Sequence, residues 1–124
     1  IDVQAGMLEK AASYAEKSGV KVEFYLSDGR EIPLPDSTVD LVFMRWVYHE
    51  LDDRQVVLRE MARVLRSGGR LAIMEKTRRG LRPIGPPTVS ASQIADSIGA
   101  VGLSAVGEIQ MGNESIVIGK RSSI

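Results

Sequence analysis

A chain of 124 residues is enough for one modest domain around one core, and its 44% hydrophobic and 26% charged content is ordinary for a globular protein. Sixteen Lys and Arg balance sixteen Asp and Glu, which argues against the basic excess that non-specific nucleic-acid binding draws on. Cysteine is absent and His49 is the one histidine, so disulfides, thiolate zinc sites, thiol nucleophiles and multi-histidine metal sites are excluded. No apolar run approaches the roughly 20 residues of a spanning helix, and the first residues lack the regions of a signal peptide. A cytoplasmic protein with no membrane or nucleic-acid partner is therefore expected.

Ile1-Asp2-Val3 reads as the end of a strand. Gln4 to Lys17 reads as a helix, with Leu8, Ala11, Ala12 and Ala15 at helical spacing and Gly19 as its stop. Lys21 to Leu26 alternates as a strand and turns at Ser27-Asp28-Gly29. The prolines of Pro33-Leu34-Pro35 hold the next residues in an extended loop. Val39 to Trp46 is almost wholly apolar, which predicts a central strand buried on both faces. Asp52 and Asp53 open a helix, where carboxylates suit the amino-terminal dipole. Leu58, Met61, Ala62 and Leu65 form its apolar stripe, and Gly68-Gly69 is expected to end it. Arg70 to Glu75 is a further strand and Lys76 to Pro87 a polar excursion. Either Ser90 or Ser92 caps a short helix that runs through Ile98 to Gly99. Ala105–Gln110 and Ser115–Gly119 form a hairpin around Gly112-Asn113. No repeat, low-complexity tract or linker divides the chain, so residues 1–124 read as a single, partial domain. Across residues 22–75 the order is strand, acidic turn, strand, helix, Gly-Gly turn, strand. That is an α/β arrangement whose polar residues fall at the carboxyl ends of strands, where such folds bind ligands.

Four segments in this order carry a resemblance. They are Ile1-Asp2-Val3-Gln4-Ala5-Gly6-Met7-Leu8-Glu9, the stretch Asp28 to Pro35, the apolar strand opening at Asp40 and leading to His49, and Arg63-Val64-Leu65 followed by Gly68-Gly69 and Leu71. Together they make the chain similar, over nearly its whole length, to the class I S-adenosylmethionine-dependent methyltransferases. It most resembles the small-molecule group that includes the ubiquinone/menaquinone-biosynthesis-type enzymes. The resemblance implies a Rossmann-like sheet of order 3-2-1-4-5-7-6 that is mostly parallel and ends in an antiparallel hairpin. It also implies S-adenosylmethionine as cofactor and a small molecule as methyl acceptor. Two departures are small: Val39 stands where the family usually has Phe, and Gln4 where a Ser would cap the helix. A third is large. The family holds its cofactor with a Gly-rich loop after the first strand, about 20 residues before the ribose-binding acid. With Asp2 as that acid, the loop falls before Ile1, and no G-x-G occurs in the chain. The expected fold is thus truncated at its amino end, with strand 1 missing and strand 2 a stub. That leaves an apolar strand open to pairing and predicts a homodimer or strand-swapped oligomer.

The resemblance also suggests roles for single residues. Asp2 either accepts the ribose hydroxyls or caps a helix. Asp28 either accepts the adenine amino group, with the Gly29 amide near the ring edge, or closes an Asx turn. Leu26 either flanks the adenine or sits in a core. Asp40 reads as a structural carboxylate bonded to nearby backbone. Met44 and Arg45 fall at a strand end near the cofactor's methionine, and Arg45 holds either a carboxylate or a surface ion pair. Trp46 fits a core position better than a sulfonium cage. On the acceptor side, His49 is either a base or structural, and Glu75 ends the next strand where it can line a pocket. Arg63, Gly68 and Gly69 read as structural. The basic run Lys76, Arg78, Arg79 and Arg82 reads as solvated charge ahead of an anionic-acceptor contact. The competing reading of the whole is a non-catalytic scaffold or dimerisation protein of the same fold, without cofactor binding.

Overall fold

The computed structural model describes residues 1–48, 51–76 and 89–123 and divides into two units, Ile1–Pro33 and Leu34–Ile124. In the first unit, helix α1 (Ala5–Ser18) begins after the extended Gln4. The Asp2 Oδ1 accepts the N–H of the N-cap residue Gln4 at 2.8 Å, while no side chain caps the first turn of the helix itself. Gly19 ends the helix at φ 68°, a left-handed conformation that glycine adopts without strain, and donates its N–H to the Ala15 and Glu16 carbonyls. Lys21 to Leu26 does not become the expected strand. It makes one parallel bridge, Leu26 with Asp2, through Asp2 N–H to Tyr25 O at 3.2 Å and Ser27 N–H to Asp2 O at 3.0 Å. The facing segment turns into α1 at Ala5, so the ladder has no room to extend.

The second unit is a four-stranded sheet with two helices. In chain order these are β1 (Val39–Arg45), α2 (Arg54–Val64), β2 (Leu65–Lys76), α3 (Ala91–Ala100), β3 (Ser104–Met111) and β4 (Glu114–Lys120). The sheet order is β1-β2-β4-β3. β1 and β2 are parallel, while β4 is antiparallel to both β2 and β3. Three strands therefore share one direction and β4 opposes them. This is the 4-5-7-6 segment of the expected order, with its carboxyl-terminal hairpin. At the hairpin turn Gly112 takes φ 62° and Asn113 stays out of the left-handed region, which is the demand of a two-residue II′ turn.

One face of this sheet is the core. Met44 of β1, Leu71 and Ile73 of β2 and Val117 of β4 pack with Leu58 of α2 and Ile94 and Ile98 of α3. At Gly119 the helix comes so close that a Cβ would lie 2.6 Å from Ile98 Cγ2. The opposite face is open among the described residues: Leu41 is 59% exposed and Phe43 55%. The expectation that β1 is buried on both faces is thus corrected. Both helices of the unit cover the same side, and β1 ends the sheet.

Helix ends also depart from the sequence reading. α2 stops at Val64, four residues before Gly68, because its carbonyls are satisfied from outside. Ser37 N–H donates to Arg63 O at 2.9 Å and Thr38 N–H to Val64 O at 2.8 Å. Arg121 Nη1 donates to Ala62 O at 3.2 Å, to Arg63 O at 3.4 Å and to Leu65 O. Gly68-Gly69 instead forms a tight excursion inside β2, where pairing jumps from Val39–Leu65 to Leu41–Arg70. Gly68 sits there at φ 77°, and a Cβ on Gly69 would meet Arg66 O at 2.8 Å. For α3, Ser90 rather than Ser92 is the cap. Its Oγ accepts the Gln93 N–H at 3.1 Å, while Gln93 Oε1 accepts the Ser90 N–H at 2.9 Å, a capping box. Gly99 lies within α3, and the left-handed residue after the helix is Gly102, at φ 85°. No helix among the described residues is long and apolar enough to cross a membrane.

Two substitutions test these contacts. Arg121→Met removes the charged donor from the α2 carbonyls and is expected to cost about 2 kcal/mol, read as a lower urea midpoint. Gly119→Ala drives a methyl into Ile98 and is expected to cost about 1–3 kcal/mol. Added to Ile98→Ala it costs less than it does alone, so a double-mutant cycle returns a favourable coupling.

Candidate functional site

In the first unit the Asp2–Leu26 bridge brings two of the expected cofactor acids to the same end of a parallel pair. Asp2 lies on one segment, and Asp28 follows Leu26 on the other. The Asp28 Oδ1 accepts the Arg30 N–H at 2.9 Å, and its Oδ2 lies 3.6 Å from Arg30 Nε. The Asx turn named above is therefore formed. It spends one carboxylate oxygen on backbone and keeps the side chain more than half exposed. Ser27 stiffens the same turn, donating from Oγ to Glu31 O at 2.8 Å and accepting the Gly29 N–H at 3.0 Å. Gly29 is buried and holds φ 86°, a shape that disfavours any side chain. Its amide, expected near an adenine edge, points at Ser27 Oγ. Leu26 is 63% exposed, so the core reading of that residue is corrected; one paired neighbour does not cover it.

In the second unit Met44, Arg45 and Glu75 lie at the carboxyl ends of the parallel strands β1 and β2, with Met44 opposite Ile73 and Arg45 opposite Met74. Strand alternation sends Met44 and Glu75 to the helix-covered face and Arg45 to the open one. Glu75 is 2% exposed and pairs across the sheet with the fully buried Ser115. Ser115 Oγ in turn donates to Gln110 Oε1 at 3.0 Å. Met44 is buried within the core cluster. His49 lies outside the described residues, as do Arg78, Arg79 and Arg82.

Trp46 overturns its sequence reading. It is 40% exposed rather than core. It also takes φ 57°, a left-handed conformation costly for a side chain of this size. Its backbone N–H donates to Met74 O at 2.9 Å and its indole Nε1 donates to Glu114 Oε1 at 2.8 Å. The Arg45 guanidinium lies 4.0 Å from the ring centroid and the Lys76 ammonium 5.1 Å. Arg45 forms no surface ion pair among the described residues and stacks on its neighbour instead. Lys76 is likewise drawn to an aromatic face rather than simply solvated. Asp40, read as bonded to backbone, instead meets Arg66 Nη1 at 3.2 Å in an exposed pair, worth little in water.

The structural reading of Arg63 holds. Its Nε and Nη2 donate to the two oxygens of Glu60 at 2.7 and 2.9 Å. Its Nη1 donates to Asp36 Oδ1 at 2.8 Å and to Leu34 O at 2.9 Å. These carboxylates, Glu60 before Asp36, hold the guanidinium above its ordinary pKa. The sequence reading missed Tyr48. That residue is 1% exposed, its hydroxyl lies 2.7 Å from Ser97 Oγ, and its carbonyl accepts from Arg54 Nε at 3.0 Å. It floors an open hollow of about 400 Å³ that Asp52, Asp53, Arg54 and Ser97 help to line. A tyrosine beside a lone histidine was the available signal. Among the described residues no group of three His, Cys, Asp or Glu side chains gathers as a metal site.

Comparison with known proteins gives a consistent result. Residues 1–73 match the family described as a methyltransferase domain. The 27-O-demethylrifamycin SV methyltransferase of Amycolatopsis mediterranei is 40% identical over 75 residues, which is 59% of this chain and 28% of that protein. The ubiquinone/menaquinone biosynthesis C-methyltransferase of Hahella chejuensis is 34% identical over 76 residues, 60% of this chain and 30% of that one. A crystal structure of a SAM-dependent methyltransferase from Aquifex aeolicus aligns with TM-score 0.83 and 31% identity, covering 95% of this chain and 65% of that chain. The matched segment thus spans less than a third of these curated relatives and just under two thirds of the solved one.

Proposed function

The chain belongs to the methyltransferase domain family, and on that premise we propose that it serves S-adenosylmethionine-dependent methyl transfer to a small-molecule acceptor. In this reading both units belong to one methyltransferase domain in the cytoplasm. The observation that carries the reading is the parallel bridge that brings Asp2 and Asp28 to one strand end. Two carboxylates there suit a nucleoside. Asp2 has an oxygen left over from the Gln4 amide for ribose hydroxyls, and Asp28 has one oxygen not taken by backbone, exposed beside the Arg30 guanidinium at 3.6 Å, for the exocyclic amine. Gly29 keeps side-chain bulk out of the turn.

When bound, the cofactor supplies a methyl group on a sulfonium, ready for in-line displacement. Such a reaction leans on positioning more than on acid–base chemistry. Met44 stands at the strand end assigned to the methionine part, and Arg45 beside it serves the acceptor side. Glu75, buried on the helix-covered face, fixes the end of β2 from which the acceptor side is built. His49 takes up the acceptor's proton where the acceptor atom carries one, a task for which an imidazole is suited. The macromolecular partner in this reading is a second copy of the chain, added along β1, whose outer edge is unpaired in the four-stranded sheet.

Titration calorimetry of the full chain with S-adenosylhomocysteine tests the cofactor assignment. Micromolar binding is expected. Asp28→Asn is expected to weaken it by roughly tenfold or more without lowering the melting temperature. The amide oxygen still closes the turn onto Arg30, but its NH₂ then opposes the adenine amine. No heat of binding, together with a stable dimer, would instead leave the scaffold reading standing. Sedimentation tests the oligomer: dimers are expected for the wild type and monomers for the Leu41→Lys/Phe43→Lys double variant, since charge blunts a pairing edge.

A further inference from the structure

Trp46 sits in a conformation that side chains of its size avoid, and strain of this kind costs on the order of 1–3 kcal/mol unless the surroundings enforce it. The surroundings here are specific. The indole N–H is held by Glu114 at 2.8 Å. Two cations, from the carboxyl ends of two adjacent parallel strands, lie against the same ring: Arg45 at 4.0 Å and Lys76 at 5.1 Å. Like charges repel, and two side chains with this much rotamer freedom have every opportunity to separate in water. The ring's π face is what gathers them, because each cation gains from it. Glu114, opposite Lys76 across the β2–β4 ladder, offsets one charge and leaves the group with a surplus of one. A stacked guanidinium still presents its N–H donors in its own plane, and an ammonium on a ring still presents donors away from it. The result is a cationic platform oriented by Trp46, on the open face of the sheet, at the strand ends where α/β folds place their ligands.

We propose that Arg45 and Lys76, held on Trp46, bind a carboxylate on the methyl acceptor, so that the acceptor class is a small organic acid. The proposal rests on the methyl-transfer reading above and names its substrate chemistry. Arg45 and Lys76 are the binding groups. Trp46 is a positioning residue, and Glu114 sets both the ring's orientation and the strength of the positive field.

Trp46 is the only tryptophan in the chain, so its fluorescence reports on this platform alone. The test is titration of the full chain with 4-hydroxybenzoate and with the neutral 4-hydroxybenzamide, with and without saturating S-adenosylhomocysteine. Quenching by the acid, at least tenfold weaker for the amide, is expected, and the homocysteine compound should leave it unchanged. The Arg45→Gln/Lys76→Gln double variant is expected to lose the acid response by tenfold or more. Glu114→Gln keeps an acceptor for the indole and removes the opposing charge, so it should tighten binding about threefold. A gain of affinity cannot come from misfolding. Equal responses to acid and amide, or no change in the double variant, overturn the proposal. So does displacement of the acid by S-adenosylhomocysteine, which would give the platform to the cofactor's own carboxylate. Calorimetric binding of S-adenosylhomocysteine with no acid response would sink this inference and leave methyl transfer intact. The converse pattern would sink the cofactor reading and leave the platform.

Discussion

The carbonyls that close α2 are the junction on which the second unit is built. A helix leaves its last four carbonyls without internal partners, and a glycine cap is the usual local remedy. Here the remedy comes from afar. The amides of Ser37 and Thr38 reach Arg63 and Val64, and the guanidinium of Arg121 reaches Ala62, Arg63 and Leu65. Arg121 is itself fixed by backbone bonds with Gly68 and Gly69. One helix end thereby sets where β1 begins, where β2 turns and where β4 leads out. Arg63 adds a second tie, binding the Leu34–Asp36 loop to the same helix.

With that junction fixed, β1 and β2 run parallel in one register from Leu41 onward and deliver their last residues to one end of the sheet. The period of two then sorts them. Met44 and Glu75 go under the helices, while Arg45 and Lys76 go to the open face and meet on Trp46. The smaller unit uses the same logic in miniature, with a single bridge that sets Asp2 beside the turn holding Asp28. Asp2 and Asp28 stand in one unit, and a cationic aromatic group occupies the strand ends of the other. A neutral chain overall conceals this, since net charge reports a sum and recognition depends on placement.

Local signals were legible in the sequence, and remote ones were not. The stop of α1 at Gly19, a serine cap at Ser90 or Ser92, the hairpin at Gly112 and the strand order all follow from patterns a few residues long or from the family resemblance. The end of α2 was misplaced because Gly68-Gly69 looked like a stop, while the groups that cap the helix lie as far along the chain as Ser37 and Arg121. The apolar run Val39–Trp46 suggested full burial because composition alone does not show that both helices choose the same face. Trp46 was misread for a related reason. Its identity favours a core, and only the positions of Met74, Lys76 and Glu114 pull it out. Asp2, Asp28 and Arg45 were legible as candidates from their places at strand ends; the partners they make were not.

The exposed pair Leu41 and Phe43 stands on the strand that ends the sheet among the described residues. Such a strand templates the addition of any extended chain that comes near it. For the protein in a crowded cell this is a liability as well as an opening.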